Sequence, residues 1–167
     1  KEASDNNLDM IGVGLLYRYG YFKQAISLTG DQVAESRAQK FSHLPVVPVR
    51  NKDGHWVMVR LALPGRTMHA KVWRCDVGRI PLYLMDTDIE ENEEQDKVVT
   101  HHLYGGDWDN RFKQELLLGV GGIRLLESIG IKPDIYHCNE GHAAFTGVER
   151  LRRCVQDRGM SFPQAME

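Results

Sequence analysis

Residues Leu103 to Phe145 read LYGGDWDNRFKQELLLGVGGIRLLESIGIKPDIYHCNEGHAAF, and this stretch decides the fold. It opens on a glycine turn, Gly105-Gly106, after which Asp107, Asp109 or Asn110 can cap the orphan N–H groups of a helix. Apolar residues then recur at helical spacing as far as Ile129. Gly130 stands where a helix ends in the left-handed region, and Pro133 follows just beyond. Asp134-Ile135-Tyr136 reads as entry into a short buried strand. Where that strand stops, His137, Asn139, Glu140, Gly141 and His142 follow almost consecutively, and a second helix begins near Ala143. Helix, strand and helix in this order are half of a doubly wound α/β unit, in which ligands bind beyond the carboxyl ends of the strands. The polar cluster occupies that place.

Upstream, Leu8 to Leu16 is a largely apolar run suited to a strand buried on both faces. The pattern predicts that it lies parallel to the Asp134–His137 strand, with Leu103–Gly130 supplying a covering helix. The aromatic set Tyr17 to Phe22, with Arg18 and Gly20 embedded, either lines a sugar or cofactor cleft or covers the sheet. Gln24 to Leu44 is polar and weakly patterned and reads as a loop with short helical pieces. From Pro45 the period changes. Val46–Val49, His55–Leu63 and Thr67–Val77 read as antiparallel strands joined at Asn51-Lys52-Asp53-Gly54 and Pro64-Gly65-Arg66. Ile80 to Met85 is a further strand, with Pro81 marking an edge or bulge and Leu82–Asp86 as the strand proper. This antiparallel block is expected to one side of the Rossmann-like layer. The acidic run Asp86 to Asp96 lacks the glycine and the ligand set of an EF-hand and reads as a solvated loop.

A chain of 167 residues with 42% hydrophobic and 26% charged residues is ordinary for one globular domain. A net charge of -2 gives no reason to expect nucleic acid or an anionic membrane as partner. Cys75, Cys138 and Cys154 lie far apart and read as reduced thiols of a cytoplasmic protein. The opening Lys-Glu-Ala-Ser-Asp reads as partway down a helix, and Ser161-Phe162-Pro163 as the start of another. Residues 1–167 are therefore read as a single partial domain of a larger protein.

Histidine and carboxylate first bring zinc to mind, but the order His137, Glu140, His142 fits neither HExxH nor its inverted form. Acid–base work by Glu140 would need a partner carboxylate that spacing does not identify. Recognition of hydroxyl groups by Asn139, Glu140 and His142, helped by free N–H donors near Gly141, fits the residue types. Asn139 and Glu140 can equally serve as caps of the following helix. Gly121-Gly122 lies inside a helix and reads as close helix packing, and His101-His102 as a surface pair.

Four blocks add a resemblance: GVGLLYRYGYFKQ (Gly12–Gln24), LYLMDTDIEEN (Leu82–Asn92), LYGGDWDNRFKQE (Leu103–Glu115) and HCNEGHAAF (His137–Phe145). Together they are similar to the bacterial α-glucan phosphorylases, the glycogen and maltodextrin phosphorylase family, in the same order and through nearly the whole chain. The resemblance implies the middle of the N-terminal domain of a two-domain GT-B glycosyltransferase. The fold class it implies is α/β, Rossmann-like, with an inserted antiparallel β block. In that family phosphate attacks the terminal glucose of an α-1,4-glucan and releases glucose 1-phosphate. Pyridoxal phosphate, held by a lysine of the C-terminal domain, serves through its phosphate group. That lysine has no counterpart here, so these residues alone are expected neither to catalyse nor to hold the cofactor.

By the same resemblance, Tyr104 matches the aromatic that stacks on an acceptor-side sugar. Asp107 matches the acid of a gating loop, and Arg111 an arginine near the acceptor site. Glu140 and His142 match the acid and histidine of the Asn-Asp-Thr-His motif that lines the acceptor subsite in the animal-type enzymes. Here the acid is Glu, Gly141 stands in place of Thr, and the loop from Asp107 to Arg111 is shorter. The partners implied are α-1,4-glucan, phosphate and a C-terminal domain, and a homo-oligomer is compatible with them. Two other readings stay open: a nucleotide-sugar-dependent glycogen or starch synthase of the GT-B type, and a non-catalytic sugar-binding domain.

Overall fold

One long strand, Arg66–Val77 (β6), is the spine of the molecule. Met68, Ala70 and Val72 alternate inward and are at most 1% exposed, as expected of a strand with one face on a core. The computed structural model describes residues 1–166. Before β6 come the helical turn α1 (Glu2–Asp5) and the strands β1 (Gly12–Leu15), β2 (Lys23–Ile26), β3 (Gln32–Glu35), β4 (Val47–Pro48) and β5 (Met58–Leu63). After it come β7 (Ile80–Asp86), α2 (Glu94–Lys97), α3 (Trp108–Leu116), a π-helical turn (Leu117–Gly121), α4 (Gly122–Ser128), α5 (Phe145–Gln156) and α6 (Phe162–Met166).

The turns set the sheet. Pro64-Gly65 joins β5 to β6, and Gly65 has φ +75°, the left-handed value that position demands. Gly78-Arg79 joins β6 to β7 with Gly78 at φ +65°, the first-position glycine of a type II′ hairpin. In a two-residue hairpin Val77 and Ile80 exchange both bonds, so the ring nitrogen of Pro81 faces away from β6. Pro81 therefore sits inside β7, opposite Asp76, rather than before it. β5 and β4 share one edge of β6, β7 takes the other, and β1 pairs parallel with β7 from Gly12↔Leu82 to Leu15↔Met85. The protein is thus a mixed α/β structure with one mixed sheet and one small antiparallel sheet.

Four sequence expectations are corrected. The antiparallel block does not lie beside the parallel layer; β6 and β7 continue directly into β1 as one sheet. Asp134–Tyr136 is not a strand, and residues 132–140 take part in no backbone–backbone hydrogen bond among the described residues. It does not pair with β1: a cavity of about 780 Å³, lined by Ile11, Gly12, Val13 and Leu15 from one segment and Ile131–Asn139 from the other, lies between them. Within Gln24–Leu44 the first half is not a loop but part of a hairpin, β2 with β3, closed by Ser27–Asp31 with Gly30 at φ +87°, while Phe41–His43 is a short helical turn as expected.

The acidic run is the fourth correction. Asp86, Asn92 and Asp96 are buried rather than solvated. β7 pairs with β6 only from Lys71 onward, leaving β6's first half with a bare edge on that side. The Asn92 side-chain amide fills it, accepting from His69 N–H at 2.8 Å and donating to His69 C=O at 2.7 Å and to Thr87 C=O at 2.8 Å. One turn further, Asp96 receives both Nε and Nη2 of Arg66 at 2.7 and 2.9 Å. An acidic segment acts here as a side-chain substitute for a strand.

The covering helix is as expected, with one refinement: α3, the π turn and α4 follow one another without a break from Trp108 to Ser128. A Cβ on Gly121 would meet Met85 Sδ at 3.3 Å, and one on Gly119 would meet the Phe145 Cβ at 2.7 Å and the Thr146 nitrogen at 2.8 Å. These glycines let the helix lie directly on the sheet and let α5 start against it. Gly130 closes α4 at φ +76°, with Gly130 N–H on Glu127 C=O and Ile131 N–H on Leu126 C=O, both 2.9 Å: a Schellman motif. Across the helices Glu149 is buried and receives Arg124 Nε at 3.0 Å and Arg152 Nε at 2.9 Å. Burial pushes its carboxyl up, but the two arginines outweigh burial and hold it below the ordinary carboxylate range.

Candidate functional site

α3 starts where it does because Asp107 caps it: its Oδ1 accepts from Asn110 N–H at 3.0 Å. Gly106, at φ +81°, lets the chain turn into that cap, and the Asn110 side chain ties back to Gly105 C=O at 2.8 Å. Just before the turn Tyr104 has φ +56°, and across the cavity Glu140 has φ +55°. Among the described residues only Asn7 is a third non-glycine residue in that region. Such a backbone costs an ordinary residue on the order of 1–2 kcal/mol and is worth tracing to a role. Both residues belong to the set predicted from sequence.

The structure brings four of the five predicted residues together. The Tyr104 and His142 rings lie 5.6 Å apart at a tilt of 39°. His142 Nε2 is 3.4 Å from Glu140 Oε2, and its Nδ1 is 3.9 Å from Glu115 Oε1. The Arg111 guanidinium carbon sits 5.6 Å from the Tyr104 ring centre. Tyr104, Arg111 and His142 line the 780 Å³ cavity, while Glu140 stands exposed at its margin. Asp107 is not with them: engaged as the α3 cap, it lines a second recess beside His101, His102 and Lys113. Asn139 and Glu140 do not cap α5, which has no side-chain cap at its start.

Sequence reasoning passed over Glu115 and Trp108. Glu115 lies on the inner face of α3 one turn beyond Arg111, a spacing that could have flagged it. Tyr17 does line the cavity, and burial, with Tyr104 nearby, holds its phenol above the ordinary value. Its neighbours Arg18 to Phe22 do not line that cavity. Arg18 is structural, with Nε on Asp88 at 2.7 Å and its guanidinium over Phe41 at 4.2 Å. Tyr19 stacks on His102 at 4.6 Å, and Tyr21 is exposed. His101 is only half a surface residue, with Nε2 buried 3.5 Å from Asp88. No group of three or more metal-ligating side chains occurs among the described residues, and none of their helices is long and apolar enough to cross a membrane.

An aromatic face, an imidazole, a guanidinium and a carboxylate on one strip suit a polyhydroxylated ring. The aromatic stacks on the ring's C–H face, and the polar groups exchange hydrogen bonds with its hydroxyls. Carbohydrate-binding sites are built from such groups. The chain is 37% identical over 166 residues to the maltodextrin phosphorylase of Thermococcus litoralis. It is 41% identical over 172 residues to the glycogen phosphorylase of Mycobacterium tuberculosis, and each of these alignments covers 99% of the chain. It is 33% identical over 167 residues to the glycogen phosphorylase of Aquifex aeolicus, covering 24% of that protein. These proteins are homologues, and the chain aligns with a segment of each. It spans about one fifth of the length of the first two. No protein-family model matches the chain.

Proposed function

We propose that this chain is the middle of the N-terminal GT-B domain of an α-glucan phosphorylase, and that it supplies the acceptor-side subsite of that enzyme. One observation carries the reading: Tyr104, Arg111, Glu140 and His142, far apart in sequence, converge on one strip of a chain homologous to phosphorylases along nearly its whole length. In the full protein, phosphate forms a bond to the anomeric carbon of the terminal glucose of an α-1,4-glucan. The bond from that carbon to the next sugar's oxygen breaks, and this oxygen takes up a proton. Tyr104 stacks on the departing chain while His142, Arg111 and Glu140 hold its hydroxyls, and Asp107 shapes the adjoining loop as the α3 cap. The partial-domain reading is supported by the free edge of β1 and the unpaired residues 132–140 facing it, which are suited to receive strands from outside these residues. Three free cysteines fit a reducing, cytoplasmic setting.

Pyridoxal phosphate does not fit the residues present. The cavity carries one lysine, the exposed Lys132, whereas a Schiff-base lysine needs a desolvated site. In this reading the cofactor belongs to a lysine of the C-terminal domain, and no step here runs through it. The test is His142→Ala in the full-length protein, compared with wild type for maltodextrin kinetics, phosphate affinity and bound cofactor. Loss of one hydrogen bond to a neutral partner is worth roughly 0.5–1.5 kcal/mol, so kcat/KM for maltodextrin should fall by up to about tenfold. Phosphate affinity and cofactor content should stay unchanged. Cofactor loss, or weaker phosphate binding with normal glucan use, would refute the assignment.

A further inference from the structure

Trp108 is 84% exposed at the first position of α3, and its indole N–H makes no hydrogen bond among the described residues. A side chain that buries so little of a large apolar face calls for an explanation. Its neighbour Phe112 is already engaged, packed edge-on against Phe145 at 5.5 Å. Arg111 is what ties Trp108 to the site. Its guanidinium carbon lies 5.8 Å from the Trp108 ring and 5.6 Å from the Tyr104 ring, so one cation bridges two aromatic faces. The strip thus continues past Tyr104 to Trp108, which stands outside the cavity that Tyr104 and His142 share.

We infer that Trp108 is a second stacking platform, taking a glucosyl unit of the same α-glucan chain farther from the reacting end than the unit on Tyr104. The inference rests on the acceptor-side reading given above and extends it. Two features favour a sugar chain over a protein cover. The indole joins a flat apolar face to a free N–H donor, which matches the C–H face and hydroxyl rim of a pyranose. It also continues, through a shared arginine, a strip already suited to the same ligand.

The experiment uses the full-length protein and maltooligosaccharides of increasing length, with wild type, Trp108→Ala, Trp108→Phe and His142→Ala. Trp108→Ala should lower kcat/KM by roughly threefold to tenfold for long chains only, leaving the shortest substrate unchanged. Trp108→Phe, which keeps a stacking face, should recover most of the loss. Long oligosaccharides should also shield Trp108 from iodide quenching of fluorescence, a response absent in Trp108→Phe. An equal loss at every length, or no loss at any, would overturn the proposal, the first outcome meaning that Trp108 faces another part of the protein. His142→Ala separates the two readings: it should lower every length alike. If it has no effect while Trp108→Ala still discriminates by length, the His142 assignment fails and the Trp108 platform stands.

Discussion

The runs Asp86–Asp96 and His137–His142 are both short, polar and rich in carboxylate and amide groups, yet they behave as opposites. In the first, Asn92 and Asp96 are buried and spend their hydrogen bonds on β6 and Arg66. In the second, His137, Asn139 and Glu140 are exposed, the backbone from 137 to 140 is unpaired, and Glu140 is held at positive φ. Polar composition does not separate structural from functional residues. The separation comes from whether the chain's own backbone has left a bare edge for those groups to satisfy. Where it has, the side chains are consumed by the fold, and where it has not they stay available to a ligand.

Removing the clamp should have the largest effect. Asn92→Ala strands the His69 N–H and the His69 and Thr87 carbonyls in a buried place, and unsatisfied buried groups cost about 1–3 kcal/mol each. A total near 3 kcal/mol, read by denaturant unfolding, is expected after some relaxation. A change below about 0.5 kcal/mol would mean that the acidic run is a solvated loop after all. The open run should behave the other way: His142→Ala should leave unfolding within about 0.5 kcal/mol of wild type while weakening glucan use.

Asp86 tests the closed run through pH. Burial pushes its carboxyl above the ordinary value, against the opposing pull of the Asp88 N–H, the Trp73 indole N–H and Arg18. A carboxyl whose folded value is raised contributes stability that is fully present below its unfolded value and is lost as pH rises through the folded one. Asp86→Asn removes that dependence. Its stability relative to wild type should therefore improve from the ordinary carboxylate range upward and level off once Asp86 is ionised. A difference that is flat with pH would place Asp86 in a wetter setting. The smallest effect should come from Glu140→Asn, which relieves a left-handed glutamate and should add a few tenths of a kcal/mol to stability. A loss instead would show that the Glu140 contact with His142 outweighs its backbone cost.

Much of this architecture was legible because it is local. Period-two alternation and the turns at Pro64-Gly65 and Gly78-Arg79 announce β5, β6 and β7, and Gly130 announces the end of α4. What escaped is long-range. Nothing near Asp134 reveals that a cavity lies between it and β1, and nothing near Asn92 reveals that β6 outruns β7. β2 and β3 escaped because their strands, KQAI and QVAE, carry no clear alternation and present Ile26 and Val33 to solvent. Of the site, the convergence of Tyr104, Arg111, Glu140 and His142 was reached through resemblance; spacing alone did not join the two halves. The exposure of Trp108 could not have been read at all, since a tryptophan beside a helix cap is as readily buried.

The uncovered side of β1 has a consequence for how this polypeptide behaves in isolation. Gly12–Leu15 is short and apolar, and its outward N–H and C=O groups form a template that any extended chain can join. No proline or charged side chain interrupts Gly12–Leu15, and residues 132–140 opposite it are likewise without backbone partners among the described residues. Purified alone, the 167-residue polypeptide should therefore self-associate with rising concentration, edge to edge. Sedimentation over a range of concentrations checks this, and a polypeptide that stays monomeric at high concentration would mean that the edge is covered in solution.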